Sequence, residues 1–366
     1  MSDDDLTIIV GDGGTSISGW EDITVTLRAE AFPNEFELKA SASDPVTMGA
    51  IVAKAGDACQ IMIGGDLVIT GFIDRDTPSG DARSHQISLV GRGKTQDLVD
   101  CSAEFASSAI MNATALDIAT KLAGAYPGLS VRMADGVDPG PRVDQILVNY
   151  GETGADIIQR VARNAGLLAY EGTDGALILG QAGKTVASSG VVYGQNVQAY
   201  AVQNSMDDRF SEVICTILTI DLFGDIASFN DKANFFHTES DPNVPRHRRL
   251  YISFEQAPDP YAFTASKTKW EIARRAGRST MVQVTVDSWR DQAGTLWLPN
   301  TLVPVDVPGL RIPDKNLCIS QVTFKRNSET GTTAELVLLP PAAFTPEPIV
   351  LVPVNTLDIT APDTTV

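Results

Sequence analysis

Residues 59–73 read Cys59-Gln-Ile-Met-Ile63, Gly64-Gly65-Asp66, Leu67-Val-Ile-Thr-Gly-Phe-Ile73. Two apolar runs meet across a Gly-Gly-Asp turn. That combination specifies a β-hairpin, because glycine reaches the positive φ of a tight turn and the flanking side chains fit a half-buried pleated surface. The same texture surrounds it. Leu6–Val10 stops at Gly11-Asp12-Gly13-Gly14, Ile23-Thr-Val-Thr-Leu27 and Phe36-Glu-Leu-Lys-Ala40 alternate with period two, and Gln86-Ile-Ser-Leu-Val90 closes the set. Short strands divided by regular turn signals predict a first β-barrel-like domain over residues 1–97.

Beyond residue 98 the period lengthens. Thr114-Ala-Leu-Asp117 and Thr153-Gly-Ala-Asp156 each read as a capping box at a helix start. Leu116, Ala119, Leu122 and Ala123 follow the first box at helical spacing up to Gly124, and Ile157, Val161 and Ala165 follow the second up to Gly166. A hairpin is expected around Gly172-Thr-Asp-Gly175, so 98–182 reads as a small α+β domain. Alternation returns in 183–210 and 280–342, a second β-barrel-like domain. Residues 211–279 read as an inserted strand, loop and helix. The loop spans 224–248, and the helix spans 262–276 with Trp270, Ala273 and Ala276 on one face and Gly277 as its stop. A Pro-rich arm covers 343–366. The fold class is α+β and mainly β: two small β-barrel-like domains, an inserted α+β domain and a further helix-containing segment.

The second β set carries a weak echo of the first. Gly71–Val90 can be laid without a gap on Ser320–Leu339, which places Ile73 on Val322, Ile87 on Leu336 and Leu89 on Leu338.

Charge narrows the function. Lys and Arg total 28 against 46 Asp and Glu, a net of -18. Grip on nucleic acid comes from cations that displace counterions, so this balance excludes a DNA-gripping protein but not a surface that DNA slides past. Residues 1–100 hold 17 acids and 7 bases, whereas 264–279 hold Lys267, Lys269, Arg274, Arg275 and Arg278 against Glu271. The basic stretch is either a solvated helix face or the counterpart of an acidic face on another copy. Cys59, Cys101, Cys215 and Cys318 lie far apart and read as free core thiols. The N-terminus lacks the pattern of a secretory signal, and no run is long enough for a membrane-spanning helix.

Catalytic patterns fail on spacing. Gly91-Arg-Gly-Lys-Thr95 would need a glycine at position 88 to wrap phosphate, and that residue is Ser88. His85, His237 and His247 have no metal-ligand spacing. Asp74 and Asp76 flank Arg75 at a strand end, where a salt-bridged surface accounts for them better than a glycosidase pair. No catalytic, metal or cofactor site is expected.

Trp270-Glu271 with Arg274-Arg275-Ala276-Gly277-Arg278-Ser279 precedes Val284-Thr-Val286 and Ser288-Trp289-Arg290, and Gly294-Thr-Leu-Trp297-Leu-Pro-Asn300 and Val303–Val307 follow. This stretch resembles the C-terminal half of Mu-type contractile-tailed phage baseplate hub proteins. A second resemblance runs from Gly71-Phe-Ile73 through Ser84-His85 and Gly91-Arg92 to Thr95-Gln-Asp-Leu-Val-Asp-Cys101-Ser102, where a strand of that family enters its helical domain. Arg246–Arg249 ahead of a strand also fits. The resemblance marks Asp97, Asp100, Trp270, Arg274, Arg275, Trp289, Trp297 and Asn300 as structural motif positions. It implies a non-enzymatic homotrimer in the virion tail baseplate, assembled in the host cytoplasm. Its expected partners are the tail tube protein, the central spike protein and other baseplate proteins, with DNA passing a central channel without specific binding and no membrane contact. An acidic channel lining drawn from residues 1–100 is a further expectation. The alternatives are a tail-associated cell-wall or polysaccharide hydrolase and a secretion-system spike base, a part related to this family.

Overall fold

The computed structural model of the chain describes residues 4–11, 14–42, 53–81, 84–104, 109–218, 234–254, 259–308 and 315–349. Seven strands come first: β1 (Leu6–Val10), β2 (Thr15–Ile17), β3 (Asp22–Arg28), β4 (Glu35–Ala42), β5 (Ala58–Ile63), β6 (Asp66–Gly80) and β7 (His85–Gly93). The hairpin expected at Gly64-Gly65 joins β5 to β6. After the short helix α1 (Gln96–Asp100) come β8 (Ala109–Ala113), α2 (Ala115–Ala123), β9 (Val131–Met133), β10 (Val143–Leu147), α3 (Gly154–Asn164), β11 (Leu168–Glu171) and β12 (Leu177–Gly180). Both capping boxes form: Thr114 and Thr153 each accept the N–H of the aspartate three residues on, which returns a bond to the cap. Apolar faces of α2 and α3 then close a core of their own with β11 and β12, into which Phe32 reaches from the first sheet.

The rest comprises β13 (Val191–Val192), β14 (Val197–Asn204), β15 (Glu212–Leu218), β16 (Asn234–Ser240), β17 (Arg249–Phe254), α4 (Pro260–Arg278), β18 (Thr280–Val286), β19 (Leu302–Asp306), β20 (Asn316–Asn327) and β21 (Gly331–Leu339). The fold is α+β and mainly β, as the sequence predicts. The two β regions are joined more closely than their separation in sequence suggests. One sheet runs β14-β18-β21-β20-β3-β4-β7-β6-β5-β1-β2, with β19 attached to β20 and β13 to β19. Its apolar side chains form one core, from Leu6 to Leu338. The joint is the antiparallel pair β3–β20, where the hydroxyls of Thr26 and Thr323 lie 3.5 Å apart.

Within that sheet a five-strand unit occurs twice. The order β3-β4-β7-β6-β5 is matched by β14-β18-β21-β20-β19. Registers match as well. Leu38 faces Leu89 as Val284 faces Leu336, and Cys59 faces Gly71 as Val303 faces Leu317. Both long strands break register at the same point, between Ile73 and Arg75 and between Ile319 and Gln321. The structural equivalent of Ile73 is therefore Ile319, not the Val322 that gapless alignment gives. The sequence repeat is real in topology but displaced by three residues in this strand, because the register break between Ile319 and Gln321 leaves both Ile319 and Val322 buried, and apolar character alone does not choose between them.

The insertion between β14 and β18 departs most from expectation. Residues 234–240, placed in an irregular loop, form β16 against β15, while 224–233 of that loop lie outside the described residues. Helix α4 packs on β15 and β16. Its buried side chains include Thr264, Lys267, Thr268 and Glu271, whereas Ala273 is exposed and Trp270 half-buried. Helical spacing is kept, but a polar row carries it, so an apolar stripe pointed to the wrong face. Nor does Gly277 stop the helix. A Cβ there would meet the backbone N of Ala343 at 2.4 Å, so the glycine lets the 3₁₀ turn Pro341–Phe344 dock against α4. The start of the expected Pro-rich arm is thus bound, and residues 350–366 lie outside the described residues. Of the cysteines expected in cores, Cys59, Cys215 and Cys318 are buried and Cys101 is exposed at the end of α1.

Candidate assembly surface

The eight motif positions do not converge on one site. They hold three joints between parts of the chain. At the first, Arg92 at the end of β7 donates to Asp74 at 2.6 Å and forks onto both oxygens of Asp100 in α1, at 3.1 and 2.7 Å. The guanidinium draws the Asp100 carboxyl below its ordinary range, mainly through that hydrogen bond. Asp97 sits half-buried in the first turn of the same helix, where a negative charge meets the positive end of the helix dipole. Asp74 is thus an anchor for Arg92, and Asp76 accepts the backbone N–H of Ala55 at 3.0 Å.

A buried glutamate completes this joint, and sequence reasoning missed it. Glu171, in β11, accepts the N–H of Asn34 at 2.7 Å and both the N–H and hydroxyl of Thr95 at 2.9 Å. Burial pushes its carboxyl above the ordinary value, and the three donated bonds pull the other way without cancelling it. Gly93 leaves the room: a Cβ there would lie 1.9 Å from Glu171 Oε2. The Gly91–Thr95 segment that superficially suggests a phosphate loop thus surrounds a carboxylate of the chain itself.

The second joint closes the β region. Trp289 is fully buried, and its indole N–H donates to the carbonyls of Lys325 at 3.0 Å and Thr333 at 2.9 Å. Phe324 meets its ring edge to face, with centroids 6.0 Å apart. Trp297 is 2% exposed and donates to the Ser288 carbonyl at 3.2 Å. Between them in sequence, Arg290 reaches across to the first β region, holding Asp4 at 3.2 Å, Asp66 at 2.7 Å and the Ile63 carbonyl at 3.1 Å. Asn300 takes a left-handed φ of 62°, which asparagine tolerates, accepts the Gly183 N–H at 2.6 Å and donates to Gln181 O at 3.0 Å. It fastens the exit of the α+β unit to β19 and β20.

The third joint lies between α4 and residues 343–347. Trp270 donates to Thr345 O at 2.7 Å, and Arg274 donates to Ala343 O at 2.8 Å and Thr345 O at 3.0 Å. Lys267 pairs with Glu347 and lies 4.2 Å over the Trp270 ring. Arg274 and Arg278 both pair with Glu30, and Arg275 pairs with Glu271 at 2.8 Å. Four of the five cations in this basic stretch therefore have partners inside the chain. The expectation of a basic face held ready for an acidic face on another copy is corrected accordingly.

A broad surface remains. The long sheet turns Ile23, Val25, Phe36 and Leu38 to the core and sets Thr24, Thr26, Glu35 and Glu37 on the opposite face, where Thr26 is itself buried and the other three reach solvent. Thr323, Lys325, Glu335 and Thr285 extend that polar face across β20, β21 and β18. Its charges are paired: Arg28 with Glu35 at 2.5 Å, Lys39 with Glu37 at 2.8 Å and Lys325 with Glu335 at 2.7 Å. The Glu37 partner raises the pKa of Lys39, chiefly by hydrogen bonding. The paired charges leave this face close to neutral, not strongly acidic. Among the described residues, no group of three or more His, Cys, Asp or Glu could hold a metal ion, and no helix is long and apolar enough to cross a membrane.

Comparison with known proteins places these units in a family context. Residues 6–93 match the Mu phage baseplate assembly protein GpP-like N-terminal domain, 95–181 the second domain of baseplate hub protein gp44-like, and 261–347 the fourth domain of Mu phage baseplate assembly protein GpP. The baseplate hub protein gp44 of Escherichia phage Mu is 28% identical over 349 residues, covering 92% of this chain and 89% of that protein. The 43 kDa tail protein of prophage MuSo2 from Shewanella oneidensis superposes with a TM-score of 0.80 at 31% identity, covering 93% of this chain and 99% of the other. The E. coli c3393 protein, a component of the type VI secretion system, shares the fold at 11% identity and a TM-score of 0.54, over 94% of this chain and 80% of its own.

Proposed function

We propose, from the premise that this chain belongs to the Mu-type phage baseplate hub family, that three copies close into a ring joining the tail tube to the central spike. The observation that carries this reading is the duplicated five-strand unit. One chain holds two such units, so three chains set six around an axis, and one part can then meet a sixfold tube on one side and a threefold spike on the other. The tube protein, the spike protein and neighbouring baseplate proteins are its partners, with assembly in the host cytoplasm before incorporation into the virion.

The polar sheet face lines the passage in this reading. Its threonines and paired charges offer phosphates neither a cation cluster to bind nor a hydrophobic patch to foul, so DNA passes without specific contacts. This replaces the expected acidic lining, because the acids of β4 are neutralised by Arg28 and Lys39. The role is structural and uses no cofactor. Asp74 and Asp76 are tied to Arg92 and Ala55, which gives a hydrolase reading no support. The division near residues 97, 182, 210 and 279 belongs to the same proposal, with the sheet units building the ring and the two inserted units facing partners.

Native mass spectrometry of the purified chain tests the ring. A particle of three times the 39.0 kDa chain mass is the expected result. A chain that stays single at every concentration refutes it.

A further inference from the structure

We infer that residues 341–347 are a strap that latches a hinged arm: the inserted unit of residues 205–279 is held against the rest of the chain by this strap, and it turns about the crossing at Asn204 and Thr280 when the strap lifts. The latch belongs to the single chain, so it stands or falls apart from the ring.

The hinge is narrow. The chain leaves the sheet after Asn204 and re-enters it at Thr280, and these two residues are paired across β14 and β18. Ser205 N donates to Ser279 O at 2.8 Å, and the Thr280 hydroxyl lies 3.0 Å from Asn204 Oδ1. Two adjacent crossings give a unit one axis to turn about, with a few residues at element ends absorbing the rotation. Little else holds the unit. Among the described residues, the elements outside the insertion that pack closely on it are the strap and β18, into which α4 runs. Glu30 reaches it as well, through Arg274 and Arg278. Helices α3 and α4 face each other across a cleft of about 300 Å³, with Gln159, Ala162 and Arg163 on one side and Trp270, Arg274 and Arg278 on the other. That gap leaves the arm room to move.

The strap meets all three units at one place. Ala343 and Phe344 are fully buried, in a small core with Ala29 and Cys318 of the sheet and Leu168 of the α+β unit. From that anchor the strap reaches α4. Trp270 and Arg274 donate to its Thr345 and Ala343 carbonyls, and Glu347 pairs with Lys267 of α4 and Arg163 of α3. The ion pairs allow release. The Lys267 side chain is 3% exposed, yet it keeps Glu271 at 3.5 Å when Glu347 leaves, and Arg274 keeps Glu30. Lifting the strap therefore strands no buried cation, which is the costly way to break a buried ion pair. In the ring, where the insertions face partners, a lifted strap changes the seat they offer and leaves the sheet as it was.

Gly277→Ala tests the latch with a single methyl group. The new Cβ would lie 2.4 Å from Ala343 N, which pushes the strap off α4, while alanine strengthens the helix itself. Amide exchange across 341–347 should rise about tenfold or more, with β20 and β21 unchanged. Arm position is read by pulsed electron–electron distances between spin labels at Thr120→Cys in α2 and Lys269→Cys in α4. The background is Cys101→Ser, which removes the exposed thiol, and labelled chain is diluted into excess unlabelled chain. The parent chain should give one distance, and Gly277→Ala should add a second. Labels at Thr238→Cys and Lys269→Cys, both inside the insertion, should keep theirs. Phe344→Ala with Glu347→Ala removes the anchor and the ion pair by another route, and must produce the same second 120–269 distance. A single 120–269 distance in both strap variants overturns the latch. A changed 238–269 distance overturns it too, because the strap would then hold the fold of the insertion instead of its position.

Discussion

Replacing Glu171 separates its two functions, acceptor and buried charge. In Glu171→Ala, the N–H groups of Asn34 and Thr95 lose their acceptor, and with these residues 2% and 0% exposed no bulk water replaces it. Each orphaned buried donor costs about 1–3 kcal/mol, partly offset because a carboxylate no longer has to be buried, so a loss of about 3–5 kcal/mol is expected. Glu171→Gln keeps one acceptor oxygen and should cost about 1–3 kcal/mol. The two replacements also differ in pH dependence. Burial raises the folded carboxyl above its ordinary 4.5, so the folded chain holds this proton more tightly than the unfolded chain. Its contribution is therefore greatest below that value and is lost as pH rises through the folded pKa. The stability gap between the native chain and Glu171→Gln should narrow over that window. Urea unfolding at a series of pH values, with amide exchange followed at Asn34 and Thr95, measures both effects. An alanine cost below about 1 kcal/mol, or parallel pH curves for the native and glutamine chains, would show that Glu171 does not couple the first sheet to the α+β unit.

Trp289→Ala should destabilise the β region by about 3–5 kcal/mol, and Trp289→Phe by about 1–3 kcal/mol, because phenylalanine keeps most of the packing but leaves the carbonyls of Lys325 and Thr333 without their donor. Denaturant midpoints followed by tryptophan-independent circular dichroism would rank the two. Thr114→Ala and Thr153→Ala each remove a formed capping box and should cost about 1 kcal/mol. The double variant should lose close to the sum, and exchange should rise first in the opening turns of α2 and α3.

Local signals were legible in the sequence, and long-range pairing was not. The Gly64-Gly65 hairpin and both capping boxes were readable because each is set by residues within a few positions of one another. The β3–β20 joint brings Thr26 to Thr323, 297 positions away, and alternation in two strands says which faces are apolar but not which strands meet. The α4 face was misread because its packing partners are Thr264, Lys267, Thr268 and Glu271. Hydrophobic periodicity has nothing to report where ion pairs and threonine hydroxyls fill the contact. Glu171 left a fainter trace. An acid closing the apolar run Leu167-Leu-Ala-Tyr is a candidate buried acceptor, but its donors at Asn34 and Thr95 become neighbours only after the sheet and the α+β unit meet.

The two copies of the five-strand unit differ mainly in what interrupts them. In the first, β3 passes to β4 through residues 29–34; in the second, the equivalent passage from β14 to β18 contains residues 205–279 with β15, β16, β17 and α4. The strands themselves remain superposable in register, because the insertion leaves from and returns to adjacent positions: Asn204 pairs with Thr280. In the proposed ring, six sheet units can thus stay nearly equivalent where they face the tube, while the insertion appears at only every second position. Symmetry would be lowered from sixfold to threefold by one interruption of a duplicated hairpin, with no distortion of the sheet that lines the passage.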